Sequence, residues 1–144
     1  MTRRNGKGAK TVIKHYEQIN FTPAIPIAVR GQHELLEAGL SEPVALFHWE
    51  NRAIVAFHGQ TPVGVIIWDL AAHRKEANII IGYVVPEYRR AGIYKRLYAQ
   101  LIKVAKEKGC NHIRGYTSVR NTALRSFAKT AGRSEMGVMI NQEI

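Results

Sequence analysis

An α+β domain built on a mixed, mostly antiparallel sheet is the fold this sequence predicts, and three observations predict it. Three strand-length apolar segments follow one another at residues 52–57, 63–69 and 76–85, with connections too short for a crossover, so they are expected to pair antiparallel. From the third of these on, the order becomes strand, helix, strand, helix, strand, and a helical connection is long enough to carry the chain to a parallel neighbour, leaving helices on both faces of the sheet. A loop containing proline and glycine, residues 86–92, joins that third strand directly to a long amphipathic helix.

Residues 1–10, MTRRNGKGAK, are polar, basic and glycine-containing, and are expected to form a disordered tail ahead of a single domain spanning residues 11–144. In residues 11–19, Val12, Ile13 and Tyr16 suit either a first strand or a short helix. Pro23 and Pro26 make residues 21–26 read as an extended linker. A short helix is expected at 32–38, with Leu35 and Leu36 inward and Gly39 as its stop. Within the strand VGVIIWD at 63–69, Gly64 is expected to mark a bulge or a close backbone approach. In the helix at 93–108, Ile93, Leu97, Leu101, Val104 and Ala105 recur at helical spacing with lysines and arginines opposite, and Gly109 ends it. A strand at 112–118, a helix at 121–131 capped by Asn121 or Thr122 and stopped by Gly132, and a last strand at 136–140 complete the chain.

Composition excludes more than it assigns. The longest apolar runs are strand-length, so no membrane span is expected. No apolar stretch follows the basic N-terminus as it would in a secretory signal, and a cytoplasmic location is the default expectation. Cys110 is the only cysteine, so no intrachain disulfide can form, and its place beside Gly109 and a strand suits a small core residue. The six histidines are scattered, with no cysteine or paired carboxylates beside them, so no metal site is expected. The net charge of +10 attracts polyanions, among them a multiply phosphorylated cofactor and nucleic acid. Part of that charge belongs to the tail (Arg3, Arg4, Lys7, Lys10) and part to a helix C-terminus (Lys103, Lys106, Lys108), where it favours the dipole. Charge therefore permits a nucleic-acid partner without identifying one.

The chemistry is concentrated in residues 79–108. A strand ending at Val85, a turn at Pro86 and a loop through Arg89, Arg90, Ala91 and Gly92 into Ile93 and Tyr94 bring a helix N-terminus to a place where backbone can approach an anion. The first helical turn has N–H groups without intrahelical partners and carries the positive end of the dipole. Arg89 and Arg90 add charge where a phosphate would sit. The spacing Arg89-x-x-Gly92-x-Tyr94 after Val-Val-Pro resembles the acyl-CoA pyrophosphate loop of the GNAT superfamily of N-acetyltransferases, usually written Gln/Arg-x-x-Gly-x-Gly/Ala. Residues 121–132, NTALRSFAKTAG, are similar to that family's second signature, approximately Asn-x-x-Ala-x-x-Phe/Leu-Tyr-x-Lys-x-Gly-Phe, and match it at Asn121, Phe127 and Gly132. The two segments cover residues 79–133 in family order and at family separation.

The resemblance implies a GNAT-like domain with a central strand–loop–helix unit that binds acetyl-CoA as co-substrate. Backbone N–H groups from Arg89 to Tyr94 would hold the pyrophosphate, and the backbone of Gly82, Tyr83 and Val84 would pair with the pantetheine arm as with an added strand. The Val84 N–H would polarise the thioester carbonyl, while Asn121 would reach the pantetheine or serve only as a helix cap. The implied reaction is acetyl transfer to a primary amine, small or macromolecular, by direct attack in a ternary complex; the chain's basic charge argues against a polycationic acceptor. Homodimers are common among relatives, and the apolar segment 138–140 is available for one.

Two departures bear on mechanism. The tyrosine with which many members protonate the departing thiolate falls at Ala128, and the strand carboxylate of some members falls near Asn78. A base is then sought among Glu76, His73, Asp69 and Glu50, with Glu76 put forward, and an acid among Tyr116, Tyr98 and Ser118, with Tyr116 put forward. The same departures keep open a different class, a binding protein that has kept the fold but lost transfer and uses its basic surface for nucleic acid or a protein partner. A dinucleotide-binding domain is disfavoured, because the full Gly-x-Gly-x-x-Gly loop and the repeated βαβ order are missing.

Overall fold

The computed structural model describes residues 10–20, 22–41, 43–137 and 140–144. Its five strands lie side by side in chain order: β1 (Thr11–Tyr16), β2 (Arg52–His58), β3 (Thr61–Ala71), β4 (Glu76–Val84) and β5 (His112–Gly115). The first four are antiparallel neighbours, while β5 is reached through helix α2 (Ile93–Glu107) and lies parallel to β4. The mixed sheet expected from the sequence is thus the one formed, and the undecided segment after residue 10 is a strand.

β2 and β3 are buried along nearly their whole length because each face of the sheet carries a helix. The faces can be told apart on β4, where consecutive side chains point opposite ways. Tyr83 packs on Gly31 of helix α1 (Ala24–Glu37), whereas Gly82 lies under Tyr94 of α2. Any side chain at Gly31 would meet the Tyr83 ring, since a Cβ there comes within 2.6 Å of it. Helix α3 (Thr122–Thr130) joins the α2 face, its Phe127 ring edge-on to Tyr94 and Tyr98 at centroid distances of 5.0 and 5.5 Å.

Helix α2 is held by its apolar stripe. Leu97 and Leu101 are fully buried, each contributing about 1.5–3 kcal/mol through apolar burial. Its Ile93 and Leu97 come within 3.1 Å of where a Gly64 Cβ would be, which is the close approach expected there, and neighbouring Val63 is the extra residue of a bulge against β2. The three α-helices of the described residues end alike. A glycine (Gly39, Gly109, Gly132) follows the C-cap at positive φ, and the next N–H reaches back to the last turn. No described helix is long and apolar enough to cross a membrane.

Three expectations are corrected. Residues 22–26 are not an extended linker: α1 begins at Ala24, runs for 14 residues and absorbs the short helix expected at 32–38. Pro23 is its N-cap and Pro26 stands in its first turn, where the N–H that proline lacks would have had no intrahelical acceptor. β5 stops at Gly115 instead of running to residue 118, because β4 turns away from it. The strand expected at 136–140 is not formed at Met136, Gly137 or Ile140; Val138 and Met139 lie outside the described residues, as do Phe21 and the expected tail apart from Lys10. Just before that segment Glu135 is drawn to α3 by an ion pair with Arg125 at 2.6 Å.

Candidate functional site

The site begins where two parallel strands part. β4 and β5 pair only from Glu76 opposite His112 to Ile79 opposite Gly115. Ile80 is then the extra residue of a bulge on β4, since Ile67 of β3 faces Ile81 and Trp68 faces Ile79. A bulge bends its strand and increases the twist, and beyond it β4 runs on to Val84 without β5 beside it. The Val85 N–H donates to the Val63 carbonyl of β3 at 2.9 Å. Because successive peptide groups point to opposite edges, the N–H groups of Val84 and Gly82 face the opened edge.

At the top of that edge a single 3₁₀ turn, Pro86–Tyr88, leads through Arg89, Arg90 (φ 61°), Ala91 and Gly92 (φ 76°) into α2. Arg96 N–H donates to Gly92 carbonyl at 3.1 Å, so the N–H groups of Ile93, Tyr94 and Lys95 have no acceptor within the helix. No side chain caps this end and no acidic residue stands in its first turn. A Cβ built on Gly92 would meet nothing within 4 Å, so the loop presents bare backbone to open space.

The two arginines of the loop differ. Arg89 donates through Nε to the Val84 carbonyl at 2.8 Å and through a terminal nitrogen to Glu34 Oε2 at 2.6 Å, with its guanidinium over the Tyr83 ring. It braces the loop against α1, and the charge that the sequence reading placed at a phosphate is held by Glu34. Arg90 and Lys95 are exposed beside the open backbone.

On the α2 face of the opened edge sits Tyr94. A Cβ on Gly82 would lie 2.7 Å from its ring and 2.9 Å from its hydroxyl oxygen. Burial pushes this phenol up to about 12, against a smaller opposing effect of Arg133, so it stays neutral at ordinary pH. Burial raises Tyr98 as well. Asn121 is the N-cap of α3: Oδ1 accepts from Leu124 N–H at 3.2 Å and Nδ2 donates to Thr117 Oγ1 at 3.0 Å, so both ends of its amide are held within the protein.

On the α1 face a groove of about 530 Å³ opens beside the parting strands, lined by Asp69, Arg74, Glu76, Asn78, Ile80 and Tyr116 among others. Glu76 and Tyr116, put forward as base and acid, are therefore brought together, and His73 and Glu50 are not among the lining residues. Glu76 is unsuited to a base. It is buried (6% exposed), with Arg74 Nε 3.0 Å from one oxygen and Arg114 Nε 2.7 Å from the other, and taking up a proton would break two ion pairs. Tyr116 stands on the rim, 92% exposed. The carboxylate left for the groove is Asp69, half-buried, whose Oδ1 accepts from Asn78 Nδ2 at 3.0 Å. Among the described residues no group of His, Cys, Asp and Glu is arranged to hold a metal ion.

Sequence reasoning missed two features. One is the row Asp69, Asn78, Arg114 across three strands, which depends on register and leaves no mark in local spacing. The other is the Tyr94 hydroxyl over Gly82, whose only signal was a bulky residue at a position that is usually small.

The fold is shared with known acetyltransferases. The model of the acetyltransferase (GNAT) family matches residues 14–132. N-alpha-acetyltransferase 30 of Schizosaccharomyces pombe is 29% identical over 111 residues, 69% of this chain and 73% of that one. An aminoglycoside acetyltransferase from an uncultured soil metagenomic sample, solved in complex with sisomicin, superposes with a TM-score of 0.74 at 17% identity, covering 93% of this chain and 96% of that one. The aminoglycoside N-acetyltransferase AAC(6')-Iy in complex with CoA gives 0.71 at 15% identity, with 96% and 97% covered. A ribosomal-protein-alanine N-acetyltransferase from Brucella melitensis biovar Abortus 2308 gives 0.70 at 14% identity, with 94% and 100% covered.

Proposed function

Since the chain belongs to the acetyltransferase (GNAT) family, acyl-CoA-dependent enzymes that acylate amines, we propose that it moves an acetyl group from acetyl-CoA to a primary amine by direct attack in a ternary complex. The observation that carries this reading is continuity. The uncapped N-terminus of α2, the opened edge at Val84 and Gly82, and the groove at Ile80 form one path.

The residues fit acetyl-CoA, which supplies an acetyl group activated as its thioester. The N–H groups of Ile93, Tyr94 and Lys95, with the charges of Arg90 and Lys95, bind the pyrophosphate. Val84 N–H pairs with the arm. Gly82 N–H, two residues nearer the groove than the Val84 donor expected from sequence, donates to the thioester oxygen as negative charge gathers there. The amine enters from the groove; its nitrogen bonds to the acetyl carbon as the carbon–sulfur bond breaks, and its surplus proton leaves to water beside Asp69. The neutral Tyr94 hydroxyl, taking the part for which Ala128 has no group, donates a hydrogen bond to the departing sulfur. With a pKa near 12 this phenol keeps its proton, and the thiolate is protonated from water.

The relatives differ in acceptor by name, aminoglycosides in two and a ribosomal-protein alanine in a third, so fold alone leaves the amine open. The reading is tested by calorimetric titration of acetyl-CoA into the protein and into an Arg90→Glu/Lys95→Glu variant, paired with an assay of CoA release over a panel of primary amines. Reversing Arg89 would instead face Glu34 and test the brace. Micromolar binding that the variant loses, with amine-dependent CoA release, is the expected result. A folded protein that ignores acetyl-CoA and instead binds nucleic acid with steep salt dependence would replace this reading by a fold kept for binding.

A further inference from the structure

Resting on that reading, we propose that the acceptor is an α-amino acid: its amine beside Asp69 and its carboxylate on the guanidiniums of Arg114 and Arg74. Register places these groups. Asp69 on β3 is opposite Asn78 on β4, and Asn78 is opposite Arg114 on β5, so Asp69 and Arg114 stand two strand spacings apart, roughly 9–10 Å between Cα atoms. An amine and a carboxylate carried by one carbon, each with one hydrogen bond outward, span such a gap. All three side chains line the same groove, together with Ile79 and Ile80, where the path for the thioester arrives.

The charges are sorted along this row. Glu76 sits beneath the groove, 6% exposed, and takes the Nε side of both Arg74 and Arg114. That holds two long side chains that line the groove; Arg114 Nη1 also donates to Met136 Sδ at 3.7 Å, which leaves its other terminal nitrogen, with those of Arg74, for a carboxylate. One carboxylate cannot neutralise two guanidiniums, so this end of the groove is positive. The opposite end has the Asp69 carboxylate, steadied by Asn78 at 3.0 Å. A polyamine would set a second ammonium against the arginines. A lone amine would leave them without an anion. The transfer chemistry is unchanged: the carbon–nitrogen bond forms as the carbon–sulfur bond breaks, and the ammonium proton passes to groove water.

The test compares matched acceptors with the whole protein after acetyl-CoA binding has been established by calorimetry. Alanine, leucine and phenylalanine are assayed for CoA release against their primary amides and against ethylamine, isoamylamine and phenethylamine. At least one amino acid is expected to exceed its decarboxylated amine by tenfold or more in kcat/KM, with the amide between them. Arg114→Gln should bring that ratio close to one. Arg74→Gln, at a more exposed site that leaves Glu76 paired with Arg114, should lower it several-fold, and Asp69→Asn should raise the KM of every amine. Acetyl-CoA titration reports that each variant is folded. Simple amines serving as well as amino acids, a ratio unmoved in both arginine variants, or acetyl-CoA binding with no amino acid accepted would each overturn the proposal while leaving the acetyl-CoA site standing. Failure to bind acetyl-CoA would remove the underlying reading itself.

Discussion

The two ends of the opened β4 edge are built from different materials. At the loop end the functional surface is backbone: three N–H groups of the first turn of α2 and an exposed Gly92, with Arg89 tied to Glu34 and the Val84 carbonyl to brace the loop. At the groove end it is side chains carried by three strands, with Glu76 buried to hold Arg74 and Arg114 in place. A backbone site tolerates changes of side chain but not of conformation or of approach. A side-chain site has the opposite sensitivities, and the bulge at Ile80 is what lets one strand serve both.

The largest effect expected from this contrast is at Gly92. Gly92→Val places a branched Cβ at φ 76° and in the open space over the loop. The left-handed conformation should cost about 1–2 kcal/mol of stability, and obstruction of the backbone should weaken acetyl-CoA binding by roughly 100-fold or more. Arg90→Ala removes an exposed charge and should weaken it only a few-fold. Calorimetry on the two variants decides the matter, since equal losses would mean that side chains build the loop end too. Next in size is Tyr94→Phe, in which the ring still packs on Phe127. Losing a hydrogen bond to a charged sulfur, about 1.5–3 kcal/mol, should lower kcat roughly 10- to 100-fold with the acetyl-CoA Kd within twofold. A changed Kd with an unchanged kcat would make Tyr94 a packing residue of the loop end.

The same contrast explains what could be read from the chain. The loop end was legible because a strand, a turn, Gly92 and an amphipathic helix are consecutive, and consecutive residues determine backbone geometry. The sheet was legible for a related reason: strand lengths and short connections leave few pairings. The groove was not. Asp69 and Arg114 are 45 positions apart, and a one-residue slip in either pairing would have put them on opposite faces. Glu76 looked like a free strand-end carboxylate because its two arginine partners come from a turn and from another strand. Pro23 and Pro26 misled for a local reason, since proline opposes a helix interior but is compatible with its first turn.

The smallest effect tests whether Tyr94 is as enclosed as its position over Gly82 requires. A free tyrosine ionises near pH 10, and in the folded chain Tyr94 does so at about 12. Below pH 10 it is neutral folded and unfolded, and contributes no pH dependence. Between pH 10 and 12 the unfolded chain loses this proton while the folded one keeps it, so stability falls as pH rises, by at most about 1.4 kcal/mol per pH unit from this group. Tyr94→Phe has no such proton, so the variant should gain on the wild type by up to that amount when urea unfolding is compared at pH 9.5 and 11. Tyr83 and Tyr98, also raised by burial, contribute equally to both proteins and cancel in the difference. Parallel stability curves would mean that water reaches the Tyr94 hydroxyl freely. The groove end would then be wet on both faces of β4, and Tyr94 would be no better placed than bulk water to stabilise the departing sulfur.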